Sequence, residues 1–202
     1  PEVIRETLKQ KGENFIKGYK NFLEDQENGQ GISLPALTNL KAFKVGENLA
    51  TTKGTVIYEN EIFQLIQYLP PEEPFYQVPV LIIPPWINKY YIFDLQEHNS
   101  FIRWNTEKGH IVYVISWANP DAKHAQTSLE DYLLKGIDQA VQTIFKAANT
   151  PQVNALGFCV GGVALLTLMS YYHKKGQNCF RSATLLASPV DFRLMGDLSV
   201  FV

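Results

Sequence analysis

Three observations predict an α/β fold: a mostly parallel sheet with helices on both faces. From residue 80 onward, β-rich and helix-patterned segments alternate in the order β-α-β-α-β-α-β, which is how parallel sheets are assembled. The β segments at 80–83, 110–117, 153–156 and 182–187 are nearly continuous apolar runs, as strands covered on both faces require. The stretch Gly157-Phe158-Cys159-Val160-Gly161-Gly162 stands where one of these strands gives way to a helix.

The elements follow in order. Residues 2–25 carry Val3, Ile4, Leu8, Phe15, Ile16, Tyr19, Phe22 and Leu23 at near-helical spacing and read as one amphipathic helix, ended by Gly29 and Gly31. Residues 32–54 lack a period and read as a connector. Residues 1–54 therefore read as a helical arm with its connector, ahead of a domain that begins at 55. Residues 56–58 and 62–68, split by Glu59-Asn60-Glu61, predict a hairpin. The proline-rich stretch 69–79 reads as a loop. Residues 97–108 read as a helix closed by Gly109. Asn119-Pro120-Asp121 is a turn, and Thr127 with Glu130 is a capping box for a helix to about Ala148. The last helix, 161–174, is stopped by Gly176.

Composition narrows the function. Of 202 residues, 46% are hydrophobic and 19% charged, with twelve Phe, ten Tyr and three Trp, so the chain is globular rather than disordered. Eighteen basic against 20 acidic residues leave a net charge of -2, no case for nucleic acid or an anionic membrane. No apolar run reaches the roughly 18–20 residues of a transmembrane segment. Two cysteines, Cys159 and Cys179, fit a reducing compartment. The chain starts at Pro1 and closes on an apolar stretch at Val202, and it is expected to be a piece of a longer protein, its domain 55–202 incomplete on the C-terminal side. No P-loop, dinucleotide fingerprint or metal-ligand spacing is present.

Gly157 to Gly162 is the nucleophile elbow G-x-S-x-G of the α/β-hydrolase fold with Cys159 in the serine position. The turn strains the nucleophile's backbone, and Gly157 and Gly161 keep the chain from colliding with itself. The Val160 N–H points where an oxyanion would form, beside the amino end of a helix. A second donor is expected from Pro84-Pro85-Trp86-Ile87-Asn88-Lys89-Tyr90-Tyr91, the loop after strand 80–83: Trp86 or Ile87, since the prolines lack an N–H. Trp86, Ile87, Tyr90, Tyr91 and Ile92 are candidates for keeping water out.

A free thiol, with a pKa near 8.5, needs a base. His173 lies fourteen residues beyond Cys159 on the same helix, roughly 20 Å away. His110 starts a strand, at the wrong sheet edge, and His98 begins the 97–108 helix. His124 sits in a loop on the right edge, but the fold places acid and His after the nucleophile. Only Asp191 and Asp197 follow His173, both in loops. The acid and the His are expected beyond Val202, and the 202 residues alone are expected to be inactive.

Val45 to Thr52, Phe63 to Tyr68, Pro84 to Tyr91, Ser116-Trp117 with Asn119-Pro120-Asp121, Gly157 to Gly162, Leu185 to Phe192 and Leu198 to Val202 together resemble the polyhydroxyalkanoate synthases, and among them the class I poly(3-hydroxybutyrate) polymerases. The resemblance runs from about residue 10 to Val202, and it implies that residues 1–54 are the end of an N-terminal helical domain ahead of a catalytic domain at 55–202. It implies an acyltransferase in which Cys159 takes the acyl group of a 3-hydroxyacyl-CoA, 3-hydroxybutyryl-CoA first, and another unit's hydroxyl extends a polyester. It also implies a homodimer on granules of its product in the bacterial cytoplasm, no cofactor beyond the CoA thioester substrate and no metal. Two other readings stay open: a cysteine hydrolase of esterase or dienelactone-hydrolase type, whose box resembles this one, and a non-catalytic granule-associated homologue.

Overall fold

The computed structural model describes residues 2–28, 39, 41–191 and 193. The chain forms two compact units, Pro1–Lys44 and Val45–Val202. Residues 45–54 thus belong with the second unit, earlier than the expected boundary after 54. Backbone bonds explain this, since the Ala50 N–H donates to Asp94 O at 2.9 Å.

In the first unit the expected single helix is two, α1 (Glu2–Lys9) and α2 (Glu13–Asn28). Lys11 at φ 50° and Gly12 at φ 86° break it, and the Gly12 N–H turns back to Thr7 O at 3.0 Å. Leu8 and Phe15 are seven residues apart, two helical turns, so the apolar period runs through the break. The terminators expected at Gly29 and Gly31 lie outside the described residues.

The second unit opens with the expected hairpin, β1 (Thr55–Glu59) and β2 (Phe63–Tyr68). β3 runs Tyr76–Ile83, beginning inside the stretch read as a loop. Its Pro79 falls before the register with β7 starts at Val80, where no ladder N–H is required. β4 (Asp94–Gln96) and β5 (Asn99–Ser100) make a small hairpin. Glu97 and His98 are its turn, not the start of a helix. The helix α3 is Phe101–Glu107, capped by Ser100 Oγ accepting the Arg103 N–H at 2.9 Å, and Gly109 ends it at φ 86°. β6 (His110–Trp117) matches its expected span.

The next helical run is α4 (Leu129–Asp131), a π-helical stretch Tyr132–Asp138, and α5 (Gln139–Ala148). Its capping box is Ser128 with Asp131, one residue on from the expected Thr127 and Glu130. The sequence Thr-Ser-Leu-Glu-Asp offers both pairs at the same spacing. β7 (Val153–Phe158), α6 (Val160–Lys174) and β8 (Phe180–Leu186) complete the described order.

The sheet order is β1-β2-β6-β3-β7-β8. β6, β3, β7 and β8 are parallel, while β1 and β2 pair antiparallel at one side. Both faces are covered at β3 and β6, whereas β8 is exposed from Arg181 to Leu186, so the burial expected of 182–187 is not found; β8 is the edge strand of the sheet among the described residues. Leu81, Ile83, Tyr113 and Ile115 face a core closed by Ile137, Ile144 and Leu165; Ile82, Val112 and Val114 face one closed by Phe93 and Ile102. This double burial is why β3 and β6 read as unbroken apolar runs.

The loop after β6 is fastened to the β1–β2 turn through His124. Its Nε2 lies 2.9 Å from Glu61 O and its Nδ1 2.9 Å from Asp121 Oδ1. The Glu61 carbonyl, then Asp121, raises the His124 pKa above 6.5. The Lys123 N–H, then His124, lowers that of Asp121 below 3.8. The His124 contribution to stability is complete below pH 6.5 and fades as pH rises through the raised value. The Asp121 contribution is complete above pH 3.8 and fades as pH falls through the lowered one. Proton NMR titration should place the His124 midpoint above 6.5, and Asp121→Asn should move it down toward that value.

Candidate active site

β7 leads straight into the elbow. The Cys159 N–H donates to Leu186 O at 2.9 Å, so the β7–β8 ladder continues to Cys159 itself. The chain then reverses, with Cys159 at φ 53° and ψ -124°, a conformation that costs roughly 1–3 kcal/mol in a non-glycine residue. The Gly162 N–H donates back to Cys159 O at 3.0 Å.

The glycines permit this by leaving out side chains. A Cβ on Gly157 would stand 2.4 Å from Gly162 Cα, and one on Gly161 2.2 Å from Ile83 O. One on Gly162 would meet Ser188 Oγ at 1.9 Å. No sequence motif marks Ser188, whose hydroxyl donates toward Leu186 O at 3.1 Å and Gly157 O at 3.3 Å; only the β7–β8 pairing brings it over the elbow.

Cys159 is half-exposed, and Val160 follows it as the first residue of α6. No hydrogen bond among the described residues takes the Val160 N–H. Cys179 is 8% exposed, and burial pushes its thiol up to about 11, which makes it a poor nucleophile.

The loop after β3 begins at Pro84 and Pro85, both buried. The Asn88 N–H donates to Pro85 O at 3.2 Å, so Trp86 and Ile87 are the central residues of a tight turn. Their N–H groups are likewise unclaimed among the described residues. Below the turn the Trp117 Nε1–H donates to Pro84 O at 2.7 Å. The Trp86 ring stacks on Tyr132 at 5.1 Å and meets Trp117 edge-on at 6.4 Å. Trp86 is thus an anchor in the core beneath the loop. Ile87 is 82% exposed, while Tyr90 and Ile92 pack with Phe158 on the other face of the sheet. Lys89 holds Asn119 Oδ1 across the strand ends.

Among the described residues no hydrogen bond joins any of the four histidines to Cys159. His98 is in the β4–β5 turn, and His110 opens β6 at the amino edge of the parallel strands. His173 is in the last turn of α6. His124 has both ring nitrogens engaged and leans toward the β1–β2 turn, whereas β7 lies beyond β3 on the other side of β6. Asp191 is held by Arg193, with Nη2 2.6 Å from Oδ2. Asp197 lies outside the described residues. Among the described residues no cluster of three or more His, Cys, Asp or Glu side chains is gathered as a metal site would be, and no helix is long and apolar enough to cross a membrane.

The glycine contacts predict a contrast. Gly161→Ala should lower stability by about 1–3 kcal/mol or more, because its Cβ meets backbone. Gly18→Ala in α2, with nothing within 4 Å, should raise local helix stability by about 1 kcal/mol. Thermal unfolding checks the first and circular dichroism the second.

A family model described as "Poly-beta-hydroxybutyrate polymerase (PhaC) N-terminus" matches residues 1–105. The chain is 44% identical over 202 residues to the poly(3-hydroxyalkanoate) polymerase subunit PhaC of Rhizobium etli, covering 100% of this chain and 32% of that protein. To the corresponding subunit of Cupriavidus necator it is 40% identical, covering 100% and 34%. It spans about a third of the length of these curated relatives. Among solved structures, the Francisella virulence factor BioJ superposes with a TM-score of 0.53 at 17% identity, over 72% of this chain and 46% of that one, a likeness of fold alone. The sheet has the α/β-hydrolase fold, incomplete in these residues, and by its sequence the chain belongs to the poly-beta-hydroxybutyrate polymerase (PhaC) family.

Proposed function

We propose that the protein is an acyltransferase that polymerises 3-hydroxyacyl-CoA, with 3-hydroxybutyryl-CoA as a substrate, through an acyl-Cys159 intermediate. The observation that carries this reading is Cys159 itself. It is a half-exposed thiol held at φ 53° on a strand-to-helix turn, beside an unclaimed Val160 N–H.

In this reading the Cys159 sulfur attacks the thioester carbonyl. The oxyanion is received by the Val160 N–H and by that of Trp86 or Ile87. CoA leaves with the proton drawn from the thiol. The acyl group stays a thioester, a near-balanced exchange that keeps it activated for attack by the hydroxyl of another unit. In this proposal the general base and its acid come from beyond Val202, in the order the fold uses, since no described histidine is hydrogen-bonded to Cys159. The names of the relatives support polyester synthesis. A homodimer on the surface of polymer granules in the bacterial cytoplasm belongs to the same proposal.

The test is single-turnover incubation of the full-length protein with 3-hydroxybutyryl-CoA. Mass spectrometry should find one 3-hydroxybutyryl unit on Cys159, with CoA released and polymer formed on continued turnover. Cys159→Ala should lower the rate by more than about 10³-fold, and Cys179→Ala should leave it unchanged. Free 3-hydroxy acid without polymer would make the protein a hydrolase. No acylation of Cys159 would overturn the reading. Residues 1–202 in isolation should show no turnover.

A further inference from the structure

We propose that Asp94, held by Thr52, is a positioning residue for acyl transfer, fastening the far end of the loop of Trp86 and Ile87 and, through the adjacent Phe93, buttressing Phe158 next to Cys159. The inference rests on the acyl-Cys159 reading above and extends it to a group outside the elbow.

Asp94 is 1% exposed, and no cation pairs with it among the described residues. A carboxylate so placed is expensive to bury and is tolerated when its oxygens are specifically bonded. Both of them are. The Thr52 hydroxyl donates to Oδ1 at 2.7 Å and the Thr52 N–H to Oδ2 at 3.2 Å. The Asp94 carbonyl accepts the Ala50 N–H at 2.9 Å. Thr52 Oγ1 is also 3.4 Å from Ser100 Oγ, which caps α3. Residues 50–52 are thereby tied to a segment more than 40 positions away.

That segment is the far end of the loop that starts at Pro84. Asp94 closes the short 3₁₀ turn Tyr90–Phe93, its own N–H donating to Tyr91 O. Phe93, one residue before it, meets Phe158 edge-to-face at 5.6 Å and 80°. Phe158 directly precedes Cys159. The loop is therefore held at its near end by the Trp86 stack and at its far end by Asp94, and the far end also buttresses the nucleophile's neighbour. Burial raises the pKa values of the Tyr68 and Tyr90 phenols, followed by the charges of Tyr90 and Asp94 on Tyr68 and of Asp94 and Tyr91 on Tyr90.

Two reactions of the same sulfur separate positioning from plain support. Acylation by 3-hydroxybutyryl-CoA needs the oxyanion donors in place, whereas alkylation by iodoacetamide, in which the S–C bond forms as iodide leaves, needs none. In the full-length protein, Asp94→Asn should slow single-turnover acylation about 10–100-fold, with Cys159 alkylation changed less than about two-fold and Cys179 still unlabelled. Thr52→Val should show the same split and Thr52→Ser should restore the rate. If Asp94→Asn does not fold, Thr52→Val decides on the same ratio. Equal loss of both reactions, labelling of Cys179, or unchanged acylation in the folded variant would overturn the inference. Wild-type protein that is never acylated would instead overturn the reading of the site on which it rests.

Discussion

The first turn of α6 lies against the end of β3 so closely that no side chain fits between them. Gly161 faces the carbonyl of Ile83, and Gly157 faces Gly162 across the turn. Backbone against backbone is the shortest approach two elements can make, and glycine alone allows it. From this contact follows the position of Cys159, which is lifted out of the β7 ladder at a backbone angle few residues adopt. It also follows that the elbow abuts the loop beginning at Pro84, so the Val160 amide and the Trp86–Ile87 turn belong to one edge of the sheet.

The rest of the unit holds that edge still. The aromatic cluster of Trp86, Trp117 and Tyr132 fills the space under the loop, with the Trp117 indole bonded to Pro84 O. On the opposite face Phe93 and Phe158 meet, and Asp94 ties the loop's end to Thr52. The two anchors work from different faces of the sheet. Apolar packing supplies bulk without direction, and the buried hydrogen bonds supply direction at a cost in desolvation.

Much of this was readable from local pattern. The strand at 110–117 is bounded by Gly109 and by Asn119-Pro120, and its ends were marked by residues that cannot continue it. The elbow was visible because glycines at fixed offsets report a backbone constraint directly. The misreadings share a cause. The seven-residue step from Leu8 to Phe15 preserved a helical phase across a real break. Glu97 and His98 suited a helix start equally well until β4 and β5 paired. Pro79 argued against a strand only because its position in the ladder was unknown.

By itself the sequence determined the kind of sheet and the turn that presents Cys159. Each depends on contacts or angles within a few residues. Tertiary structure alone decided that His124 is engaged by Glu61 and Asp121, that Trp86 faces the core rather than the solvent side of its loop, and that Asp94 reaches Thr52. These depend on which distant strands become neighbours, and the order β1-β2-β6-β3-β7-β8 is set by burying all the apolar faces at once, a property of no single segment.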